Sequence, residues 1–119
     1  MDKVNIAEKL ALFSEYWSPK ILAELNGQAV KAVKLHGEFV WHHHDIEDEL
    51  FLVVKGQLRM EFRDHVVLVN EGEFIVVPHG VEHRPVAEQE VHVLLFEPTE
   101  TLNTGNVRSE RTKEQLDRL

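Results

Sequence analysis

Apolar and polar positions along the chain change period once. Near the N-terminus Ile6, Leu10, Phe13 and Trp17 recur three to four residues apart, the spacing of one helix face. Asn5 precedes that run and Glu8 stands three residues later, a pairing that satisfies free N–H groups at a helix start. The pattern predicts a short amphipathic helix over about 5–15, its apolar stripe packed on the rest of the domain. Ser18-Pro19 ends it, because the residue before a proline is driven out of helical geometry.

Beyond Pro19 the period is two. Ile21–Leu25 and Ala29–Leu35 flank Asn26-Gly27, a strong signal for a two-residue hairpin turn. Further extended runs follow at Phe39–His44, Leu50–Val54, Leu58–Phe62, Val66–Val69, Phe74–Val77 and Val91–Phe96. Gly37, Gly56, Asp64-His65, Asn70–Glu73 and Pro78–Gly80 separate them. In one run Leu58, Met60 and Phe62 alternate with Arg59, Glu61 and Arg63, as a half-buried strand does. About eight short strands and one helix predict an all-β sandwich or barrel. Residues 1–98 read as a single barrel domain and 99–119 as a polar C-terminal tail, in which 112–119 is the stretch suited to a last helical turn or two.

Composition narrows the function. A length of 119 residues, with 43% hydrophobic and 29% charged positions, suits one globular domain. No apolar run approaches the 18 residues of a membrane span, and the first residues lack a basic and apolar leader, so the expectation is a cytoplasmic chain without a membrane partner. The absence of cysteine excludes disulfides, thiolate metal sites and thiol nucleophiles. The net charge is −8, and because residues 99–119 balance four acids with four bases, the body carries all of it. An acidic body without a Lys/Arg stripe argues against nucleic-acid binding.

The eight histidines are the unusual feature, and they cluster. Residues two apart on an extended chain share a face, so His42 and His44 project together while His43 points away. Glu49 follows a tight acidic turn, which places it on the next strand near His44. Imidazoles and one carboxylate suit a divalent transition metal, and His83, after the Pro78–Gly80 turn, is available as a fourth donor. Taken singly, the His-x-His pair reads equally well as surface histidines, Glu49 as one more acidic residue, and His83 as a loop residue.

The spacing brings these residues together. Gly37-x4-His42-x-His44-x4-Glu49-x6-Gly56 resembles the first signature of the cupin superfamily, shortened by one residue before the first histidine. Gly72-x5-Pro78-x-Gly80-x2-His83 resembles the second, with Ala87 where that signature ends in asparagine. The two motifs cover residues 37–87, and the start and tail resemble those of small single-domain bacterial cupins. The resemblance implies a jelly-roll β-barrel holding one divalent metal ion, with His42, His44, Glu49 and His83 as ligands. Iron, manganese, nickel, copper and zinc all accept such donors. It also implies a homodimer, for which the apolar segment around Phe13, Tyr16, Trp17 and Ile21 is available.

If Glu49 points inward, parity carries Phe51 and Val53 with it, and Leu58, Met60 and Phe62 form the inward face of the next strand. His92, Leu94 and Phe96 share one face of the last strand, either toward the pocket or toward solvent. Trp41 and His43 face away from the ligands, and His36, His65, His79 and Arg84 read as surface residues.

Three functions fit this pattern. The first is a metal-dependent enzyme of isomerase, oxygenase or decarboxylase type, acting on a small oxygen-rich organic molecule. The second is a non-catalytic module that binds a small ligand in the same cavity. The third is a sugar-phosphate isomerase, which wants a cationic anchor that the expected inner face lacks, since Arg59 and Arg63 have outward parity. Ser14, Ser18 and Ser109 lie far from the histidines in sequence, so no nucleophilic triad is indicated.

Overall fold

The computed structural model describes all residues from Met1 to Leu119. After a five-residue helix, α1 (Ile6–Leu10), come β1 (Lys20–Leu25), β2 (Gln28–Glu38), β3 (Glu49–Lys55), β4 (Leu58–Phe62), β5 (Val66–Val69), β6 (Phe74–Val77) and β7 (His83–Pro98). All pairing between them is antiparallel. Leu25 pairs with Gln28, which leaves Asn26 and Gly27 as the whole turn, with φ of 51° and 76°. Two successive positive φ angles define the turn whose twist matches a hairpin, and Asn-Gly is the dipeptide that adopts it at least cost.

The sixteen-residue β7 organises the barrel. One edge of it pairs with β2 from Gln28↔Pro98 to Glu38↔Val86. Its other edge serves two strands in turn. Residues 83–86 pair with β4, and residues 92–96 pair with β3. The sheet thus runs β1-β2-β7-β3-β6, with β4 and β5 attached to the start of β7. The inward face closes over a core that includes Val33, Leu35, Phe51, Val53, Leu58, Met60, Val91, Val93 and Leu95. The expected inward face of β3 and β4 is therefore observed, with Phe62 at its half-buried end.

Four local expectations change. The helix stops at Leu10 rather than near residue 15. Phe13 packs outside the barrel with Leu10, Ala32 and Leu94, whereas Trp17 joins the barrel core and stacks on Phe39. One continuous helix face cannot reach both places, and the helix ends before either residue. Residues 39–44 form no strand; they lie against the start of β7 through Phe39 N–H to Pro85 O (3.0 Å) and a single bridge at His42 and His83. The last strand begins at His83 rather than Val91.

The C-terminal segment folds back on the body, and 112–119 is not helical. Ile21 N–H donates to Asp117 O (2.9 Å) and Leu119 N–H to Ile21 O (3.0 Å), bonds to the free edge of β1 that need extended chain. Thr101 and Thr104 are buried.

Candidate metal centre

His42, His44, Glu49 and His83 come together at one end of the barrel, each at most 4% exposed. Their ligand atoms all lie within 4.8 Å of one another. Each is delivered by a different feature of the chain. Glu49 opens β3 and His83 opens β7, so strand pairing sets both. His42 exchanges two backbone hydrogen bonds with His83 (3.0 and 2.9 Å). His44 follows two residues later on the same side, while the His43 ring is a third exposed and bonds Asp45 through Nε2 at 3.0 Å.

Two of the rings are held in a defined tautomer. His42 Nδ1 donates to Val40 O and His83 Nδ1 to Val81 O, both at 2.9 Å. A proton on Nδ1 leaves Nε2 as a bare lone pair, the form in which imidazole binds a metal. The C-terminal segment steadies the backbone from outside. Asn106 N–H donates to His43 O (3.0 Å), and Asn106 Oδ1 accepts from His43 N–H (2.8 Å). Gly105 fits beneath with φ of 55°, where an added Cβ would lie 2.1 Å from His43 O.

The electrostatics are those of ionisable groups taken out of water. Burial, and then repulsion from His83, push the His42 imidazole down to about 4, so it is neutral at physiological pH. Burial opposes ionisation of Glu49, but its close polar neighbours Glu97, His44 and His83 prevail and hold its carboxyl well below the usual range. Glu97 is pushed well above that range by burial and then by the charge of Glu49.

A divalent cation fits this donor set. His44 Nε2, Glu49 Oε1 and His83 Nε2 are buried without a hydrogen-bond partner. His44 Nε2 and Glu49 Oε1 approach to 2.7 Å without the alignment of a hydrogen bond. A buried polar atom left unpaired costs about 1–3 kcal/mol, and one cation at the point of convergence relieves all three. These three histidines and one carboxylate would hold such an ion, which would supply Lewis acidity there.

Beside the cluster lies a narrow cavity of about 40 Å³. Trp17, Val33, Leu35, Phe39, Phe51 and Leu95 supply most of its wall, while His42, Glu49 and Asn103 are its only polar side chains. Trp17, with φ of 59°, is held by its indole N–H on His36 O (3.0 Å). Helical spacing pointed to Trp17 as an apolar residue without revealing that it lines the cavity, and nothing local in the sequence marks Asn103.

The structure resolves the position of His92. It faces outward and bonds Glu90 through Nε2 at 2.6 Å, with Leu94 beneath the N-terminal segment and Phe96 exposed. Trp41 faces away from the ligands, under the guanidinium groups of Arg63 (3.9 Å) and Arg84 (5.3 Å). Arg84 pairs with Glu38 and Glu61. An inward cation does exist and parity could have found it. Lys31 shares its face with Ala29, Val33 and Leu35, and Glu97 shares its face with Val93 and Leu95.

A jelly-roll of this size with a His-x-His, Glu and His cluster at one end defines a small single-domain cupin. The chain belongs to the cupin family, whose Cupin domain pattern matches residues 30–97. It is 34% identical over 81 residues to the uncharacterized protein YdbB of Bacillus subtilis, a match spanning 67% of this chain and 66% of that one, just under two-thirds. A cupin-2 domain containing protein of Shewanella frigidimarina superposes with a TM-score of 0.79 at 44% identity, over 80% of this chain and 93% of that one. A Neisseria meningitidis protein does so at 0.76 and 34%, over 82% and 100%.

Proposed function

We propose that the chain binds one divalent transition metal ion through His42, His44, Glu49 and His83, and acts with it on a small organic molecule held in the adjoining cavity. The observation that carries this reading is the convergence of three buried, unpartnered ligand atoms beside an apolar pocket. When bound, such an ion supplies Lewis acidity to an oxygen donor of the substrate. The protein's own part is to shape and dry the site. Phe39 and Phe51 stand against the histidine rings, at 5.4 Å from His42 and 6.2 Å from His83. Exclusion of water by such walls strengthens every charge interaction inside.

No polar side chain of the cavity is free to act as a general base. Glu49 is a ligand, and the Asn103 amide is engaged by Arg111 O and Lys113 N–H. Chemistry of isomerase, oxygenase or decarboxylase type, centred on the ion, is therefore the reading for a catalytic role. The aromatic walls favour a substrate with an apolar body and one or two adjacent oxygens. A sugar phosphate fits less well, because Lys31 is consumed by Glu97 and does not line the cavity. A cavity that only binds its ligand is the second reading, favoured by the same lack of a free base.

Assembly belongs to the same proposal. Phe13, Trp17 and Ile21 are buried within the monomer and cannot serve a partner. Val76, Leu50, Phe96 and Val30 instead line up across four strands on the outward face, with Val76 48% and Phe96 38% exposed. A second copy of the chain covering that row gives a homodimer, and light scattering at the monomer mass of 13.8 kDa would refute it. No helix is long and apolar enough to cross a membrane; a cytoplasmic location is proposed with the rest.

The test is metal content by mass spectrometry on the purified chain, followed by titration with cobalt(II) and a panel of diketones, hydroxy-acids and catechols. One equivalent of metal, and a cobalt spectrum that responds to members of the panel, are expected. A chain that takes up no metal refutes the proposal, and a metal-loaded chain whose spectrum and Tm ignore the panel refutes the substrate class.

A further inference from the structure

Lys31 has no exposed surface, an unusual state for an ammonium group. It sits on the inward face of β2, and its Nζ lies 2.9 Å from Glu97 Oε1. Glu97, 2% exposed, stands across from Ala29 on β7. The residue before it, Phe96, pairs with Leu50 on β3, so the next step along both strands brings Glu97 beside Glu49. Both side chains point inward and both are buried, so the two carboxyl groups are neighbours in the barrel interior. Glu97 Oε2 is buried and has no hydrogen-bond partner.

Stability does not explain this pair. Replacing a buried ion pair by apolar residues of similar volume is often neutral or stabilising. Leucine and methionine would fill the same space without desolvating two polar groups. What they would not do is set a polar group beside Glu49. A carboxylate that meets the imidazoles through one oxygen is otherwise free to rotate about its last bond. A partner on its far side fixes which oxygen is presented, and such outer partners of metal ligands are worth roughly 10–100-fold in metal affinity.

We infer that the buried Lys31–Glu97 pair is a positioning device for Glu49, holding its carboxylate in the orientation that receives the metal ion. The inference rests on the metal reading proposed above. Lys31 fixes Glu97, Glu97 fixes Glu49, and the chain of three crosses β2, β7 and β3 at the level of the site. Neither Lys31 nor Glu97 is a ligand.

The experiment uses cobalt(II) as the probe, reading Kd and the visible spectrum of the bound ion beside Tm of the metal-free chain. In the double variant Lys31→Met, Glu97→Leu, Tm is expected near the wild-type value, while cobalt binds roughly 10–100-fold more weakly and its spectrum shifts. Glu97→Gln, whose amide still accepts from Lys31 and donates to Glu49, is expected to keep the wild-type spectrum. A double variant with wild-type Kd and spectrum overturns the inference, leaving the pair as a strut, and so does a Glu97→Gln protein that behaves like the double variant. If the double variant does not fold, Glu97→Asp withdraws the carboxyl by one methylene. Weaker binding is then expected, and an unchanged Kd and spectrum overturn the inference. A wild-type chain that takes up no cobalt, or whose uptake survives His44→Ala, overturns the metal reading itself.

Discussion

His42 and His83 form a matched pair. They exchange both backbone hydrogen bonds, and each ring is locked by the carbonyl two residues before it, Val40 for one and Val81 for the other. The ring centroids are 4.3 Å apart. Two segments about forty residues distant in the chain are thus tied at the point where their Nε2 atoms converge, and the site is organised by backbone before any ion arrives.

Replacing His42, His44, Glu49 or His83 with alanine is expected to cut metal affinity at least about 100-fold, more than loss of an outer partner does. His43→Ala should retain the metal, because that ring lies outside against Asp45. Chelation of the loaded wild type should lower Tm, since an ion at 100 times its Kd contributes about 2.7 kcal/mol to the folded state. Metal content and calorimetry of the five variants check this, and loss of metal in His43→Ala alone would refute the assignment.

Gly105→Ala is expected to destabilise the chain more than Gly27→Ala. Both glycines have positive φ, so both substitutions carry backbone strain of about 1 kcal/mol. A Cβ at Gly27 meets nothing within 4 Å, but at Gly105 it meets His43 O at 2.1 Å. The His42–His44 segment must therefore shift, and weaker metal binding should accompany the lower Tm. Equal denaturation midpoints for the two variants would show that the C-terminal segment does not brace the site.

Met60→Ala should cost roughly 2–5 kcal/mol, because this fully buried side chain fills the barrel interior. Phe74→Ala should change the stability of the monomer by about 0.5 kcal/mol or less, since Phe74 is 61% exposed on the outward face. Urea denaturation of both variants measures the contrast.

The half-buried Glu61 accepts from Arg84 (2.9 and 2.7 Å) and Arg59 (2.9 Å), and these bonds, Arg84's first, hold its carboxyl below the usual range. A carboxyl lowered in the folded state contributes stability above its unfolded value and loses it as pH falls toward its folded value. The Tm advantage of wild type over Glu61→Gln should therefore be level from about pH 8 to pH 5 and shrink below about pH 4.5, with a size of about 1 kcal/mol or less. An advantage that grows on acidification would refute this.

Much of the fold and site was legible in the chain itself. Period-two alternation in Leu58–Phe62 identified an inward face, and the same parity separated His42 and His44 from His43 even though that segment forms no strand. Asn26-Gly27 specified its hairpin through local φ preferences alone. Such features depend on residues close in sequence, where sterics and alternation act directly.

Only the tertiary structure decided the rest, because it depends on which distant residues meet. The helix ended early because Phe13 and Trp17 were drawn to opposite sides of the sheet. Residues 99–119, which read as a polar tail, were held by bonds to Ile21 and His43 that no local pattern encodes. Lys31 and Glu97 were not read as inward from the sequence, whose expected inner face lacked a cation, and their meeting beside Glu49 required β2, β7 and β3 to pair in one register. Periodicity determines which face a side chain takes, and strand register determines what it faces.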